Sequence, residues 1–326
     1  MKKIVYFLPI LLFSCGTTKQ LVTKSTVVEV SSQKAGYTLK YKVEEKNVAE
    51  ILKTLSSDNF EGREAGEPGI EKAAVFLEEF LKNNNVKPYF ETYRDKLSNF
   101  DKPTFNIVGY IEGNDPILKK EFLVLGGHYD HIGLTSDGDD KINNGANDDA
   151  SGVTAVAEIA KYFSESKSNK RSILVVFFSA EEKGLLGSKH LAKKLKTNGF
   201  NLYTMLNFEM IGVPMTKDYT AYLTGFSKSN MAAKMNDYAG RKLIGYLPQE
   251  LEYELFSRSD NYSFYNEFKV PSQTVCTFDF ENFNYYHDVK DEFELMNIQH
   301  MTSFIQDILP VVEQMTNTAT KEIKIN

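Results

Sequence analysis

Histidine and acidic residues recur directly after apolar runs in this sequence of 326 residues. They follow "FLVLGG", lie in the loop "NNGANDDASG", follow "ILVVFFSA", end the run "TMLNFE", and return in "YYHDVKD" a few residues beyond "SQTVCTF". Imidazole nitrogens and carboxylate oxygens bind transition metals and transfer protons, so the pattern indicates metal-assisted or acid–base chemistry. The residues are His128, Asp130, Asp148, Asp149, Glu181, Glu182, Glu209 and His287.

Carboxylates that converge on one place need a positive counter-charge. Two unit charges about 4 Å apart cost about 4 kcal/mol at an effective dielectric constant near 20. Apart from Lys183, Lys and Arg are missing beside the acids of the first four segments. A set of carboxylate oxygens and imidazole nitrogens suits zinc, and two ions about 3.5–4 Å apart form a hydrolytic arrangement.

The elements that must position these residues alternate between strands and helices. Alternation of this kind predicts a three-layer α/β/α sandwich with a mostly parallel central sheet. Ligands of such sheets bind outside the carboxyl ends of the strands, where these side chains lie. The predicted strands are "TFNIVGYIEG", "EFLVLGGHYD", "RSILVVFFSAEE", "LYTMLNFEMIG", "DYTAYLTG" and "VPSQTVCTF". The predicted helices are "NVAEILKTLSSDNF", "IEKAAVFLEEFLKNN", "SGVTAVAEIAKYFSES", "LGSKHLAKKLK", "NMAAKMNDYAGRK" and "MNIQHMTSFIQDILPVVEQM", with Pro310 kinking the last or starting its final segment.

Six segments resemble, in order and spacing, those of the di-zinc aminopeptidase family. They are "GGHYDHIG", "GANDDASG", "SAEEKGLLGS", "NFEMIG", "RSDNYSF" and "YYHDVKD". The family includes secreted bacterial leucyl aminopeptidases, with glutamate carboxypeptidase and glutaminyl cyclase as divergent relatives. The resemblance covers roughly residues 47–315. It implies a zinc exopeptidase-like fold and hydrolysis of peptides that have a free N-terminus.

The resemblance also implies a set of metal ligands. Asp148 would bridge two zinc ions, with cobalt or manganese as alternative metals. Glu182 and His287 would complete one site, and His128 and Glu209 the other. The family's usual acid at the last position is Asp, and the extra methylene of Glu209 displaces the carboxylate by about 1.5 Å. The second site is therefore expected either to shift its backbone or to bind its metal more weakly.

Two further residues receive catalytic roles from the resemblance. Glu181 would be the general base that takes a proton from a water shared by the two metals. Asp130 would hold the tautomer of His128, as partners of metal-bound histidines do. Asp149 would shape the turn that aims Asp148, and the peptide bond between these two residues is expected to be cis, as in family members.

Residues around these segments allow more than one interpretation. Arg258 either holds a substrate carbonyl or carboxylate, or pairs with Asp260. His131 is expected in a second shell around the metals or in solvent, rather than as a ligand. The family often has His where Asn261 stands, which leaves substrate contacts on that loop open. Four aromatic residues are candidates for the walls of a substrate pocket: Phe256, Phe283, Tyr285 and Tyr286.

The sequence excludes one class of function and leaves two alternatives to an aminopeptidase. The formal net charge of −6 and the lack of a long basic run give no support for nucleic-acid binding. One rival is a glutaminyl-cyclase-like acyltransferase with a single zinc, which would need only Asp148, Glu182 and His287. The other is a non-catalytic binding lipoprotein on a peptidase scaffold. The presence of both His128 and Asp130 argues against the cyclase, and the intact Glu181 argues against the non-catalytic scaffold, so a hydrolytic metallo-aminopeptidase is favoured.

The first residues have the layout of a bacterial lipoprotein signal. Two lysines precede an apolar run that is too short to span a bilayer. The run ends in "LFSC", which resembles a lipobox with Cys15 as the lipidated residue; the alternative is a plain secretory signal. The predicted organisation is a signal peptide over residues 1–15, a tether over 16–45 and a catalytic domain over 46–326. We expect a lipid-anchored protein of the bacterial envelope, periplasm-facing or in the outer membrane.

Overall fold

The computed structural model describes residues 41–326. The predicted signal peptide, Cys15 and most of the predicted tether lie outside these residues. Within the tether's last residues, Val43 is buried and its backbone N–H donates to the Gln306 side chain at 2.8 Å. The ring of Tyr41 packs against Tyr162, with 5.1 Å between ring centroids. Residues before position 46, the predicted start of the catalytic domain, therefore already pack on the folded domain.

Eight α-helices and nine strands form in residues 41–326, joined by short 3₁₀ turns. The helices are α1 Glu45–Leu55, α2 Pro68–Asn83, α3 Gly152–Ser166, α4 Leu186–Thr197, α5 Met231–Ala239, α6 Gln249–Glu252, α7 Asn261–Phe268 and α8 Ile298–Asn317. The strands are β1 Lys87–Pro88, β2 Arg94–Lys96, β3 Phe105–Ile111, β4 Phe122–His128, β5 Ser172–Phe178, β6 Leu202–Glu209, β7 Ala221–Leu223, β8 Ile244–Gly245 and β9 Ser272–Cys276.

One sheet contains all of these strands, in the order β1-β3-β5-β4-β6-β9-β7-β8, with β2 also pairing with β3. Its centre, β5-β4-β6-β9, is parallel throughout. The strands outside the centre run differently: β3 is antiparallel to β5, and β7 is antiparallel to β9. The predicted parallel sheet is thus confirmed for its centre, and antiparallel strands flank it on both sides.

Both faces of the sheet are covered, as the nearly continuous apolar sequence of β5 predicts. Alternate β5 residues enter two different cores: Val175 belongs to the core beneath α1, α2, α3, α5 and α8, and Val176 to the core beneath α4 and α7. Leu191 of α4 and Phe264 of α7 are fully buried in the second core. The three-layer α/β/α sandwich is therefore confirmed.

The sequence did not predict the shortest strands or the helices α6 and α7. Strands β1, β2 and β8 have two or three residues each, too few for a period-2 pattern to be recognised. Helix α7 has the sequence "NYSFYNEF", rich in residues of low helix propensity, and packs against α4 and β9. Helix α8 continues through Pro310 to Asn317. In residues 41–326, no helix is both long and apolar enough to span a bilayer.

Candidate metal centre and active site

The predicted site residues meet at the carboxyl edge of the parallel strands. His128 is the last residue of β4, and Glu209 is the last residue of β6. Glu181 and Glu182 follow the end of β5 by three and four residues. Parallel strands end at one edge of the sheet, so side chains far apart in sequence become neighbours there. Together with Asp148 these residues line one cavity of about 280 Å³.

Asp148 lies at the middle of the cluster, 3% exposed. Its Oδ1 is 3.3 Å from His128 Nε2, and its Oδ2 is 3.1 Å from His287 Nε2. The same His287 nitrogen is 3.0 Å from Glu182 Oε1. Each oxygen of this carboxylate therefore lies beside a different imidazole nitrogen, which is the arrangement that a bridging ligand needs.

His131 also belongs to this cluster. It is fully buried, and its Nδ1 lies 3.1 Å from Glu182 Oε1 and 3.8 Å from Asp148 Oδ2. Donor atoms of His131, Asp148, Glu182 and His287 all lie within 4.8 Å of one another. A solvated position for His131, one of the two expected from the sequence, is therefore wrong. The second His in "HYDHIG" was the available signal, but spacing alone does not show the direction of its ring.

The electrostatics of the cavity call for added positive charge. Burial and nearby carboxylates, among them Glu209 and Asp260, raise the pKa of Glu181 well above its usual value. Burial and the neighbouring acids likewise raise the pKa of Glu209, whose Oε1 is buried with no hydrogen-bond partner in residues 41–326. Burial opposes protonation of His287, but contacts with Asp148 and Glu182 raise its pKa to about 10. A bound divalent cation would satisfy these oxygens and nitrogens together, so the donor set fits zinc.

A buried acid ties the two ligand loops together. Asp291, four residues after His287, accepts hydrogen bonds from the backbone N–H groups of Asn147 (2.8 Å) and Asp148 (3.0 Å). Its own carbonyl oxygen accepts the N–H of Ala146 at 3.0 Å. These bonds fix the loop that carries Asp148 relative to the loop that carries His287. Nothing in "HDVKD" shows which of its two acids turns inward, so Asp291 could not be identified from the sequence.

Asp149 joins three segments rather than facing the cavity. Its Oδ1 accepts from Gly152 N and Met210 N, both at 3.0 Å, and its Oδ2 accepts from His128 N at 3.2 Å. The peptide bond between Asp148 and Asp149 is cis, as expected. The second acid of the pair therefore holds the start of α3 and the ends of β4 and β6 around the first.

Asp130 is fully buried behind the cluster. Its carboxylate accepts the N–H groups of Glu181 (3.1 Å) and Glu182 (3.3 Å). His128 Nδ1 lies 3.1 Å from the carbonyl oxygen of Asp130 and 3.8 Å from its carboxylate. The predicted orientation of His128 by Asp130 thus has its closest contact through the backbone, and the carboxylate mainly holds the glutamate turn.

Arg63 is a buried cation behind the same loops. Its guanidinium donates to four carbonyl oxygens, including those of Tyr129, Asn144 and Gly145 at 2.6–2.9 Å. Burial lowers its pKa to about 10, against the opposing effect of nearby acids such as Asp291. Arg63 therefore fastens the end of β4 to the loop before Asp148.

The walls of the cavity are mostly aromatic and apolar. Tyr286 of the predicted wall residues lines it, while Phe256, Phe283 and Tyr285 do not. Phe256 and Phe283 are buried, and Tyr285 packs against Phe283 with 5.7 Å between ring centroids. Residues that the sequence analysis did not name complete the wall: Met210, Tyr222, Thr224, Tyr253, Leu255, Cys276, Phe278 and Phe280.

The fold is shared with solved aminopeptidases and glutaminyl cyclases. The LapA aminopeptidase of Legionella pneumophila aligns with a TM-score of 0.66 and 22% identity, covering 85% of this chain and 73% of that chain. The glutaminyl cyclase of Porphyromonas gingivalis aligns with a TM-score of 0.64 and 17% identity, covering 84% and 100%. At these identities the similarity establishes the fold, that of the zinc exopeptidases and their relatives.

Sequence comparison gives the family. Residues 106–312 match the sequence profile of peptidase family M28, more than half of the chain, and this chain belongs to that family. A probable leucine aminopeptidase of Arthroderma otae is 26% identical over 274 residues, 81% of this chain and 70% of that protein. A probable zinc metalloprotease of Pyrenophora tritici-repentis is 36% identical over 115 residues, 35% of this chain. The match spans about a quarter (26%) of that relative's length.

Proposed function

We propose that this chain is a zinc-dependent aminopeptidase that removes N-terminal residues from peptides. The observation that supports it most is the position of Asp148, with an imidazole nitrogen 3.1–3.3 Å from each carboxylate oxygen, in a cavity that Glu181 also lines. Membership of peptidase family M28 and the similarity to a probable leucine aminopeptidase support the same reaction.

The ligand set proposed for two zinc ions has Asp148 in both sites. Glu182 and His287 complete one, and His128 and Glu209 complete the other. Bound zinc polarises a carbonyl and lowers the pKa of water toward about 7. Cobalt or manganese would satisfy the same nitrogen and oxygen donors.

Glu181 is the proposed proton carrier. Its carboxylate takes a proton from the attacking water and delivers it to the leaving amine, a role that requires a group within hydrogen-bond reach of both. Asp130 holds the backbone of Glu181 by accepting its N–H at 3.1 Å, which limits the positions of the carboxylate. Partial removal of Glu181 from water raises its affinity for the proton that it must carry.

The proposed selectivity for a free N-terminus follows from charge. The acids that line the cavity, Asp148, Glu181, Glu182 and Glu209, favour a protonated or polarised amine over a blocked one. The cavity of about 280 Å³ is small compared with an extended peptide. Both properties favour exopeptidase over endopeptidase action.

Metal content combined with turnover tests this proposal. Two zinc ions per chain and hydrolysis of leucyl-anilide, with no hydrolysis of the N-acetylated compound, are the expected results. Equal cleavage of the free and acetylated compounds would contradict aminopeptidase specificity. A chain that binds no metal and hydrolyses nothing would instead be a binding lipoprotein on a peptidase scaffold.

A single-zinc glutaminyl-cyclase-like acyltransferase is the second candidate. The compact group of His131, Asp148, Glu182 and His287 supports it, because one ion could use all four donors. The fold similarity to a glutaminyl cyclase is consistent with it. One zinc per chain, cyclisation of peptides with N-terminal glutamine and no anilide hydrolysis would establish this alternative.

We also propose that Cys15 carries a lipid that anchors the enzyme to the bacterial envelope, on a periplasm-facing surface or at the outer membrane. The segment "LFSC" after a short apolar run and two lysines supports this location. Contact with the membrane would be limited to the anchor.

A further inference from the structure

Arg258 is the only Lys or Arg among the residues of the described chain that line the cavity. It lines the same cavity as four acids, Asp148, Glu181, Glu182 and Glu209. Its side chain is exposed, although Phe256 and Ser259 nearby are buried.

The side chains of the other arginines in residues 41–326 all have partners. Arg94, Arg171 and Arg241 each form an ion pair with a Glu or Asp side chain. Arg63 donates to four backbone carbonyl oxygens. Within residues 41–326, Arg258 is the one arginine whose side chain has no hydrogen bond, ion pair or ring contact.

Pairing of Arg258 with Asp260, the alternative considered from the sequence, does not occur. Asp260 is fully buried, whereas Arg258 is exposed. No ion pair within 4.0 Å joins the two side chains. The guanidinium of Arg258 therefore keeps its donors available toward the cavity.

The backbone that carries Arg258 is fixed. Its N–H donates to Leu255 O at 3.1 Å. The next residue, Ser259, accepts a hydrogen bond from Asn207 Nδ2 at 3.0 Å and lies 2.9 Å from Thr274 Oγ1. Because the backbone at Arg258 is already fixed, binding of a ligand to the guanidinium costs little main-chain entropy.

We infer that Arg258 binds a carboxylate of the substrate, and this inference rests on the proposed peptide hydrolysis. A guanidinium matches a carboxylate with two parallel N–H···O bonds. The small cavity places Arg258 within a residue or two of the candidate metal ligands, so the carboxylate belongs to the substrate's second or third residue. Two sources fit: the C-terminal carboxylate of a very short peptide, and an acidic side chain just after the scissile bond.

Matched substrates test the inference and separate the two sources. Leucyl-leucine is compared with its C-terminal amide, and leucyl-aspartyl amide with leucyl-asparaginyl amide, each in wild type, Arg258→Gln and Arg258→Lys. We expect wild type to prefer the charged member of one pair by about tenfold in kcat/KM, mainly through KM. The preference should fall to about one in Arg258→Gln and persist in part in Arg258→Lys.

Arg241→Gln is the control, because it removes the same charge at the surface pair with Asp307 and should keep the preference. Calorimetric titration of leucyl-leucine and its amide into zinc-loaded Glu181→Gln, with and without Arg258→Gln, measures the same preference without turnover. If binding depends on Arg258 and on the charge of the ligand, but wild type hydrolyses neither compound, the proposed function is overturned and the role of Arg258 stands. Hydrolysis with equal rates for charged and neutral partners in wild type would overturn the role of Arg258 alone.

Discussion

Adjacent glutamates at the end of β5 have opposite electrostatic surroundings. Burial raises the pKa of Glu181, and no imidazole nitrogen lies close enough to it to form an ion pair in the described chain. For Glu182, burial and Asp148 also act to raise the pKa, but His131 and His287 outweigh them and lower it. Groups whose environments separate their proton affinities in this way suit different tasks. Glu182 suits metal binding, and Glu181 suits proton transfer.

Glu181→Gln is expected to reduce turnover by about 10²–10⁴-fold, since the amide cannot accept a proton from water. Zinc content should stay at the wild-type value, because the proposed ligands are unchanged. Rates with leucyl-anilide and metal analysis of the purified variant check both statements. Activity close to wild type would assign the proton transfer to another group.

Glu209→Asp is expected to bind metal at the His128 side at least as tightly as wild type, if the backbone at the end of β6 follows the shorter side chain. In wild type that site should release its ion first under dilute chelator, and activity should return with zinc, cobalt or manganese. Titration of metal against activity in both proteins checks the order of release. Equal retention of both ions by wild type would show that the site is adapted to Glu209.

Sequence alone indicated most of the residues that meet in the cavity, because their types recur at strand ends. It did not indicate which neighbours turn inward. Asp291 is buried by hydrogen bonds to a loop more than a hundred residues away, and His131 is buried beside Glu182. Arg258 forms no ion pair with the buried Asp260. Such facts depend on tertiary packing, which spacing along the chain does not encode.

At the scale of elements, the site depends on how loops are joined at the sheet edge. Asp291 connects the loop after β9 to the loop before α3, and Asp149 connects that loop to β4 and β6. Each connection is a carboxylate that accepts backbone N–H groups, so the loops are held by directed bonds in a dry environment. The strands set the approximate positions, and these bonds set the final ones.

Asp291→Asn is expected to weaken zinc binding by about 10–100-fold, since an amide can accept with only one of its two terminal atoms. One N–H, of Asn147 or Asp148, would then lose its acceptor. Asp288→Asn, in the same loop but without contact to the Asp148 segment, is the control that should retain affinity. Competition with a zinc chelator measures both. Unchanged affinity in Asp291→Asn would show that the loops hold their positions without this bond.

His300 on α8 should make stability depend on pH. Burial lowers its pKa to about 4, below the value of about 6.5 in the unfolded chain. The unfolded state binds more protons between these values, so the contribution present above pH 6.5 is lost as the pH falls toward 4. Urea unfolding of His300→Gln across this range should give a weaker pH dependence than wild type. Parallel curves for the two proteins would contradict this role.

The long elements were predictable because their patterns are long. The helices α2, α3 and α8 and the strands β4, β5 and β6 begin and end within a few residues of the predicted segments. The antiparallel flanks were not predictable, because strand direction depends on which strands become neighbours in the sheet. Sequence order, in which β3 precedes β4, hides the fact that β3 pairs with β5.

For the whole molecule, the proposed lipid anchor and the residues that line the cavity lie in separate parts of the sequence. The segments that build the cavity begin at His128, whereas Cys15 lies outside the described residues. Cys15→Ser is expected to release an active enzyme into the soluble fraction. Fractionation of cells followed by anilide assays checks this. Membrane association equal to that of wild type would mean that another part of the chain holds the protein there.

The cavity wall and the proposed metal ligands come from different stretches of chain. Tyr253, Leu255 and Arg258 lie in a stretch before α7 that supplies none of the proposed ligands. Substitutions in this stretch change the wall of the cavity and leave the proposed metal ligands intact. Differences between related proteins should therefore concentrate in this stretch. Substrate preference can then change during evolution while the residues proposed for catalysis are kept.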